Sequence, residues 1–220
     1  MILYICMVHY DPSSFWLERG KVYYDNFKYN KIFRLQEEAL LDHLHYHSSF
    51  SSVFEIGCGF GRITKLILSR FPNITEYSAI DISPDQIENA KKYIGGPIKD
   101  MKLKVADVKS IQADRRYDLV IAVEVLMHIL PSDIVQVVSK LVELSRHNII
   151  NIDFYDDVSI KPRLAPHNFI HQYEEIYRNI PDVISVKRVP IVKHGSFFSR
   201  INSKQSIFHA IVDRADVTSQ

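Results

Sequence analysis

The sequence predicts an α/β protein built on a doubly wound, mostly parallel sheet. Three observations point there. Short apolar runs alternate with segments of helical periodicity from Ser52 onward; three glycines crowd the turn after the first run; and the next two runs each lead into a carboxylate, Asp81 and Asp107. Repeated strand–helix–strand units bury both faces of one sheet, which is why the strands read as nearly continuous apolar stretches.

Taken in order, Val53–Ile56 is the first strand and Ile63–Ser69 a helix with apolar residues at helical spacing. Glu76–Ile80 is the second strand and ends at Asp81. The helix between Asp81 and Gly95 has a well-marked start, with Ser83 as cap, Pro84 at the first helical position and Gln86 completing a capping box. Lys102–Val105 is a short third strand, followed by Ala106-Asp107. Tyr117–Val123 carries the strongest strand pattern and is expected at the centre of the sheet. Ile134, Val137, Val138, Leu141 and Leu144 mark a helix, and His147–Ile152 a fifth strand. A proline-containing linker, Asp156–Pro166, leads to a helix from about His167 to Asn179, stopped before Pro181. Val183–Val192 and Ser206–Asp213 are β-rich and suit a final hairpin added to the parallel sheet.

Composition narrows the function classes. A chain of 220 residues with 46% hydrophobic content can bury a sizeable core, and its length favours one domain. The net charge of +1 is well mixed, with no basic stripe for a phosphate backbone, which argues against a nucleic-acid partner. Met1–Val8 is apolar but lacks a basic leader and is too short to span a bilayer, so it is expected to be a strand or packing arm of a cytoplasmic protein with no membrane partner. Cys6 and Cys58 stand far apart and indicate neither a disulfide framework nor a zinc site.

The most informative stretch is Glu55-Ile56-Gly57-Cys58-Gly59-Phe60-Gly61-Arg62. Glycines between a strand and a helix let a ligand approach the backbone and the helix's free N–H groups. A dinucleotide fingerprint would need glycine at position 62, where Arg62 stands. The E-x-G-x-G-x-G pattern instead resembles motif I of the class I S-adenosylmethionine (SAM) methyltransferases, and Ala106-Asp107-Val108 resembles that family's adenine-binding motif. The resemblance implies a Rossmann-like, seven-stranded sheet with an antiparallel C-terminal hairpin strand. It further implies an N-terminal arm with lid helices over residues 1–48 and a SAM-binding domain over 49–220, forming one structural unit. It also implies that Gly57, Gly59 and Gly61 pass beneath the methionine part of SAM and that Glu55 organises the pocket. Asp81 would accept from the ribose hydroxyls, Asp107 from the adenine amine, and the Val108 N–H would reach a ring nitrogen, with Ile82 against the adenine face. Local alternatives stand beside these roles: a helix cap for Asp81, an ordinary loop residue for Asp107, a core side chain for Ile82.

Tyr117–Ile129 resembles the family's fourth-strand motif, where the reacting end of the cofactor meets its substrate. It lacks the Asn/Asp-Pro-Pro-Tyr-like element of base-amine methylation, and neither cysteine suits cytosine chemistry, so the pattern looks like the small-molecule O-, N- or C-methyltransferases. Glu124 and His128 are the candidate catalytic residues, sharing a face if that stretch is helical; Glu124 is also a candidate cofactor contact, and His128 has a structural alternative. Arg19 and Tyr24 occupy the expected lid, near the cofactor carboxylate, with aromatic packing as the other reading. His167 and His171, four apart at helical spacing, are candidate substrate contacts; without a clear third ligand they do not make a metal site, and no metal is expected. The expected activity is methyl transfer from SAM, giving S-adenosylhomocysteine (SAH), to an O, N or C nucleophile of a small molecule. RNA or protein methylation, and a SAM-binding partner protein without catalysis, are the alternatives. Whether the protein is a monomer or a homodimer is left open.

Overall fold

The computed structural model describes residues 10–30, 33–47, 49–95, 101–155, 167–191 and 205–213. The expected arm Met1–Val8 and the linker Asp156–Pro166 lie outside them. Two N-terminal helices, α1 (Pro12–Phe27) and α2 (Phe33–His47), precede β1 (Ser52–Ile56), α3 (Arg62–Arg70), β2 (Glu76–Asp81), α4 (Pro84–Ile94), β3 (Met101–Val105) and β4 (Tyr117–Val123). A 3₁₀ turn (Leu126–His128), α5 (Ile134–Leu144), β5 (Ser145–Phe154), α6 (Tyr173–Arg178), β6 (Val183–Pro190) and β7 (Gln205–Val212) complete the chain.

The seven strands run in the order β3-β2-β1-β4-β5-β7-β6, parallel from β3 to β5, with β7 antiparallel to both neighbours. Order reverses between β1 and β4, so their carboxyl ends diverge into a crevice, the place where open α/β sheets bind ligands. Alternate residues of β4 feed two separate cores. Val120 and Ala122 pack with α5 and with Tyr173 and Tyr177, while Leu119 and Ile121 pack with Leu40 and Leu44 of α2 and Ile63 and Ile67 of α3. Six apolar α5 side chains are buried on the first face, each stabilised by about 1.5–3 kcal/mol relative to exposure, which holds α5 far more firmly than its own helix propensity would.

Two local expectations change. The Ser83 hydroxyl does cap α4 by accepting from the Gln86 N–H at 3.4 Å, but the capping box is only half formed. Gln86 Nε2 donates instead to the Gly20 carbonyl of α1 (2.7 Å), and the Ser83 N–H donates to Asp81 Oδ1 (2.9 Å). The helix expected from His167 begins only at Tyr173, and residues 168–172 are non-helical. The Phe169 N–H donates to the Met127 carbonyl (2.7 Å), while ring nitrogens of His128 and His171 pair with the carbonyls of His167 (2.8 Å) and Ile129 (3.0 Å). Bonds to the segment after β4 thus replace the helical ones.

Candidate active site

A cavity of about 480 Å³ lies over the carboxyl ends of the parallel strands and is roofed by α1 through Trp16, Arg19, Gly20 and Tyr23. The glycine loop forms its floor. Gly57 has φ +67°, and a Cβ there would stand 2.4 Å from Val125 Cγ2, so only glycine fits between the loop and the segment after β4. Gly61 (φ +84°) does another job: its missing Cβ makes room for Ile94 of α4, and it is not among the cavity-lining residues. Glu55 lies buried beneath the loop, its Oε2 accepting from the hydroxyls of Thr64 (2.5 Å) and Tyr77 (2.6 Å). Burial pushes its carboxyl up and these two bonds pull it back, so Glu55 joins β1, β2 and α3 under the loop.

On the β2–β3 side, Asp81, Ile82, Asp107 and Val108 all line the cavity. Asp81 Oδ2 accepts from the Gly59 N–H (2.8 Å) and Oδ1 from the Ser83 N–H, so one carboxylate ties the glycine loop to the start of α4. Desolvation pushes its carboxyl up against those bonds. Asp107 Oδ1 accepts from the Lys109 N–H (2.9 Å), closing the turn after β3. Each oxygen keeps a second lone pair for a ligand.

The β4–β5 side differs more from expectation. Glu124 and His128 do not share a helical face: Glu124 precedes the 3₁₀ turn with φ +58°, a conformation that costs a non-glycine residue of order 1–3 kcal/mol. Glu124 Oε1 accepts from Gln205 Nε2 (2.7 Å), and its Oε2 is 3.9 Å from Arg62. Arg62 also donates to Gln36 Oε1 (2.7 Å) and Glu37 Oε1 (3.0 Å), and its guanidinium lies 4.1 Å from the Phe33 ring centre. Gln36 Nε2 closes the ring by donating to Gln205 Oε1 (3.3 Å). The ring joins α2, α3, β7 and the Glu124 loop. Sequence reasoning missed it, and only the position of Arg62 next to the glycines hinted at a role.

His128 lines the cavity and is buried. A carbonyl only accepts, so its bond to the His167 carbonyl puts the proton on Nδ1 and leaves Nε2 with the lone pair. Burial drives its pKa down to about 4, the His167 bond opposes that, and nearby Arg19 adds to it, so the ring is neutral at pH 7. Its ring centre lies 4.5 Å from that of Trp16, whose Nε1–H donates to the Tyr10 hydroxyl (3.3 Å); that hydroxyl in turn donates to the His128 carbonyl (3.0 Å). The His167 ring stacks on Phe15 at 4.4 Å and lines the cavity. His171 is buried away from it on the Ile129 carbonyl, so the expected pairing of His167 with His171 is corrected to His167 with His128, ring centres 5.4 Å apart. In α1, Arg19 lines the cavity, but Tyr24 faces away onto Phe60 and Tyr93; Tyr23 takes its place.

Behind this wall, Asp153 Oδ1 accepts from the Met127 N–H (3.1 Å) and Oδ2 from Asn151 Nδ2 (2.8 Å), while full burial pushes its carboxyl up to about 8. Two cavity-lining side chains hold a buried oxygen with no hydrogen-bond partner, Gln86 Oε1 and Asn168 Oδ1. Among the described residues no group of three His, Cys, Asp or Glu side chains could hold a metal ion, and no helix is long and apolar enough to cross a membrane.

Residues 54–148 match a family model described as a methyltransferase domain. A malonyl-[acyl-carrier protein] O-methyltransferase of Ilyobacter polytropus is 32% identical over 102 residues, 46% of this chain and 37% of that protein. A ubiquinone biosynthesis O-methyltransferase of Rickettsia akari is 29% identical over 96 residues, 42% of this chain and 36% of that protein. The chain thus spans little more than a third of the length of these curated relatives. Among solved structures, the N-methyltransferase NodS from Bradyrhizobium japonicum, in complex with SAH, superposes with a TM-score of 0.72 at 16% identity, covering 93% of this chain and 100% of its own. Magnesium protoporphyrin IX methyltransferase from Synechocystis, with bound SAM, gives 0.68 at 14% identity, covering 94% and 99%. The matched segment contains the glycine loop and both strand-end carboxylates, and it lies within the fold that these solved structures share.

Proposed function

We propose that this protein transfers a methyl group from SAM to an oxygen, nitrogen or carbon nucleophile of a small molecule. One observation carries the reading: a single cavity is lined on its β2–β3 side by Asp81, Ile82, Asp107 and Val108, over the glycine loop, and on its β4–β5 side by a neutral buried imidazole, His128. The donor set fits SAM. Two carboxylates with spare lone pairs suit a ribose diol and an adenine amine, the open space beside Gly59 admits a ligand against the backbone, and a cavity of about 480 Å³ is of the size that holds small ligands.

When bound, SAM supplies an electrophilic methyl group on a sulfonium. Asp81 would hold the ribose, Asp107 and the Val108 N–H the adenine edge, and Ile82 its face. Gly57 and Gly59 would pass the methionine chain, with Arg19 near its carboxylate and Glu124 beside the reacting end. The acceptor would lie between α1 and the post-β4 wall, where α1 excludes water and His128 Nε2 takes the acceptor's proton. Alignment of the acceptor is the larger effect, about 7–11 kcal/mol, while proton removal adds about 10²- to 10⁴-fold.

Calorimetric titration with SAH tests the reading. Folded wild-type protein should bind, and Asp81→Asn should weaken binding about tenfold to a hundredfold, since one or two charge-assisted bonds are lost. The asparagine keeps an acceptor oxygen for the loop, whereas alanine would also strand the N–H groups of Gly59 and Ser83. No binding by the wild type, or full binding by Asp81→Asn, would sink the proposal.

A further inference from the structure

The acceptor end has a chemistry of its own, and it lies largely outside the family segment: Trp16, His167 and Asn168 all fall beyond residues 54–148. Its walls are flat. The Trp16 and His128 rings lie 4.5 Å apart, and the His167 ring is 5.4 Å from His128 and stacked on Phe15. It holds two polar atoms that no donor among the described residues satisfies. His128 Nε2 keeps its lone pair because Nδ1 is committed to the His167 carbonyl, and Asn168 Oδ1 is buried without a partner in a side chain only 7% exposed. Both are acceptors, and turning the Asn168 amide about Cβ–Cγ, a soft torsion, brings its oxygen toward a ligand in the cavity it lines. Among the described residues, the cations on the cavity wall are Arg62, paired with Glu37, Lys109, paired with Asp133 (3.1 Å), and Arg19, which the proposed function assigns to the cofactor carboxylate.

Resting on the methyltransferase reading, we propose that the methyl acceptor is a neutral planar ring with a hydroxyl that faces His128 Nε2 and a second O–H or N–H donor held by Asn168. The acceptor is therefore not a carboxylate. In the transfer the acceptor oxygen forms a bond to the methyl carbon as the carbon–sulfur bond breaks. The electron pair stays on sulfur, and the hydroxyl proton passes to His128 Nε2.

Trp16 is the only tryptophan of the chain, so its emission reports ring binding without turnover. Full-length protein saturated with SAH is titrated with the three dihydroxybenzenes, with the matching dimethoxybenzenes, and with malonate and benzoate. At least one diol should quench Trp16 and bind about tenfold or more tightly than its dimethyl ether, because a site built to accept hydrogen bonds rejects an analogue without donors. In Asn168→Ala, and in the near-isosteric Asn168→Leu, that preference should shrink to about twofold or less while SAH affinity is unchanged, the latter also showing that the variants are folded. Tighter binding of the carboxylates, a diol preference that survives both variants, or no response to any ring compound in protein that binds SAH would overturn the acceptor assignment. Failure of the wild type to bind SAH would instead overturn the methyltransferase reading beneath it.

Discussion

Gly20 lies in the middle of α1, where helix propensity alone says that alanine would be better by about 1 kcal/mol. The packing says the opposite. A Cβ on Gly20 would stand 2.1 Å from Ser83 Oγ and 2.7 Å from Ser83 Cβ, more than an ångström inside contact distance, and Ser83 is itself only 1% exposed. Relief has two routes. Turning the Ser83 hydroxyl away gives up the α4 cap, worth about 1 kcal/mol, while lifting α1 breaks the bond from Gln86 Nε2 to the Gly20 carbonyl, worth about 0.5–1.5 kcal/mol, and opens the cavity roof. With an overpacking cost of about 1–3 kcal/mol set against a propensity gain of about 1 kcal/mol, Gly20→Ala should be net destabilised by up to about 2 kcal/mol despite its better helix former. That corresponds to about 2–4 °C of Tm per kcal/mol in a chain of this size. Because α1 carries Trp16, Arg19 and Tyr23 over the cavity, SAH should dissociate faster and bind about tenfold more weakly, at a cost of about 1.4 kcal/mol. Thermal melts and stopped-flow dissociation followed by Trp16 emission measure both. A variant that is more stable by the full propensity gain and holds SAH like the wild type would refute the idea that α1 is seated through Gly20.

Arg62→Lys should lower Tm and weaken SAH binding, because a point ammonium cannot donate to Gln36 and Glu37 at once while lying over Phe33; equal Tm and affinity would show the ring around Glu124 to be idle. His128 and His171 each fall to about 4 in the folded protein, so between pH 6.5 and 4 the unfolded chain binds more protons than the native one. Stability should therefore drop as pH falls through that window, by on the order of 3 kcal/mol for each histidine, and urea melts of His171→Phe should show a shallower slope than the wild type. Tyr77→Phe and Thr64→Val should each cost about 1–2 kcal/mol and together more than their sum, because the double variant leaves the buried Glu55 carboxyl without either hydroxyl; a double-mutant cycle with no coupling would count against this account.

Much of the architecture is local and therefore visible in the chain. The periodicity that places β4 at Tyr117–Val123 and α5 at Ile134–Leu144 is the packing requirement of a sheet covered on both faces, and those spans appear unchanged in the structure. The glycine loop, Asp81 and Asp107 are legible for a related reason: in a doubly wound sheet the residues just after strands share one edge, so sequence position maps onto the cavity. The β4–β5 side of the cavity does not obey such a rule. His167 and His171 are spaced as on a helix, yet backbone bonds to Met127, His128 and Ile129 draw their segment straight and send the two rings to different places. Tyr23 and Tyr24 differ only by helix phase, and the seat of Gly20 on Ser83 and Gln86 goes with Tyr23 over the cavity. Gln36, Arg62, Glu124 and Gln205 meet from distant parts of the chain with no local pattern to announce them. By itself the sequence determined the sheet, the glycine loop and the two strand-end acids, because each follows from near-neighbour packing and backbone geometry. Only the tertiary structure decided which rings and amides line the β4–β5 side of the cavity, because hydrogen bonds between residues far apart in sequence set where those side chains point.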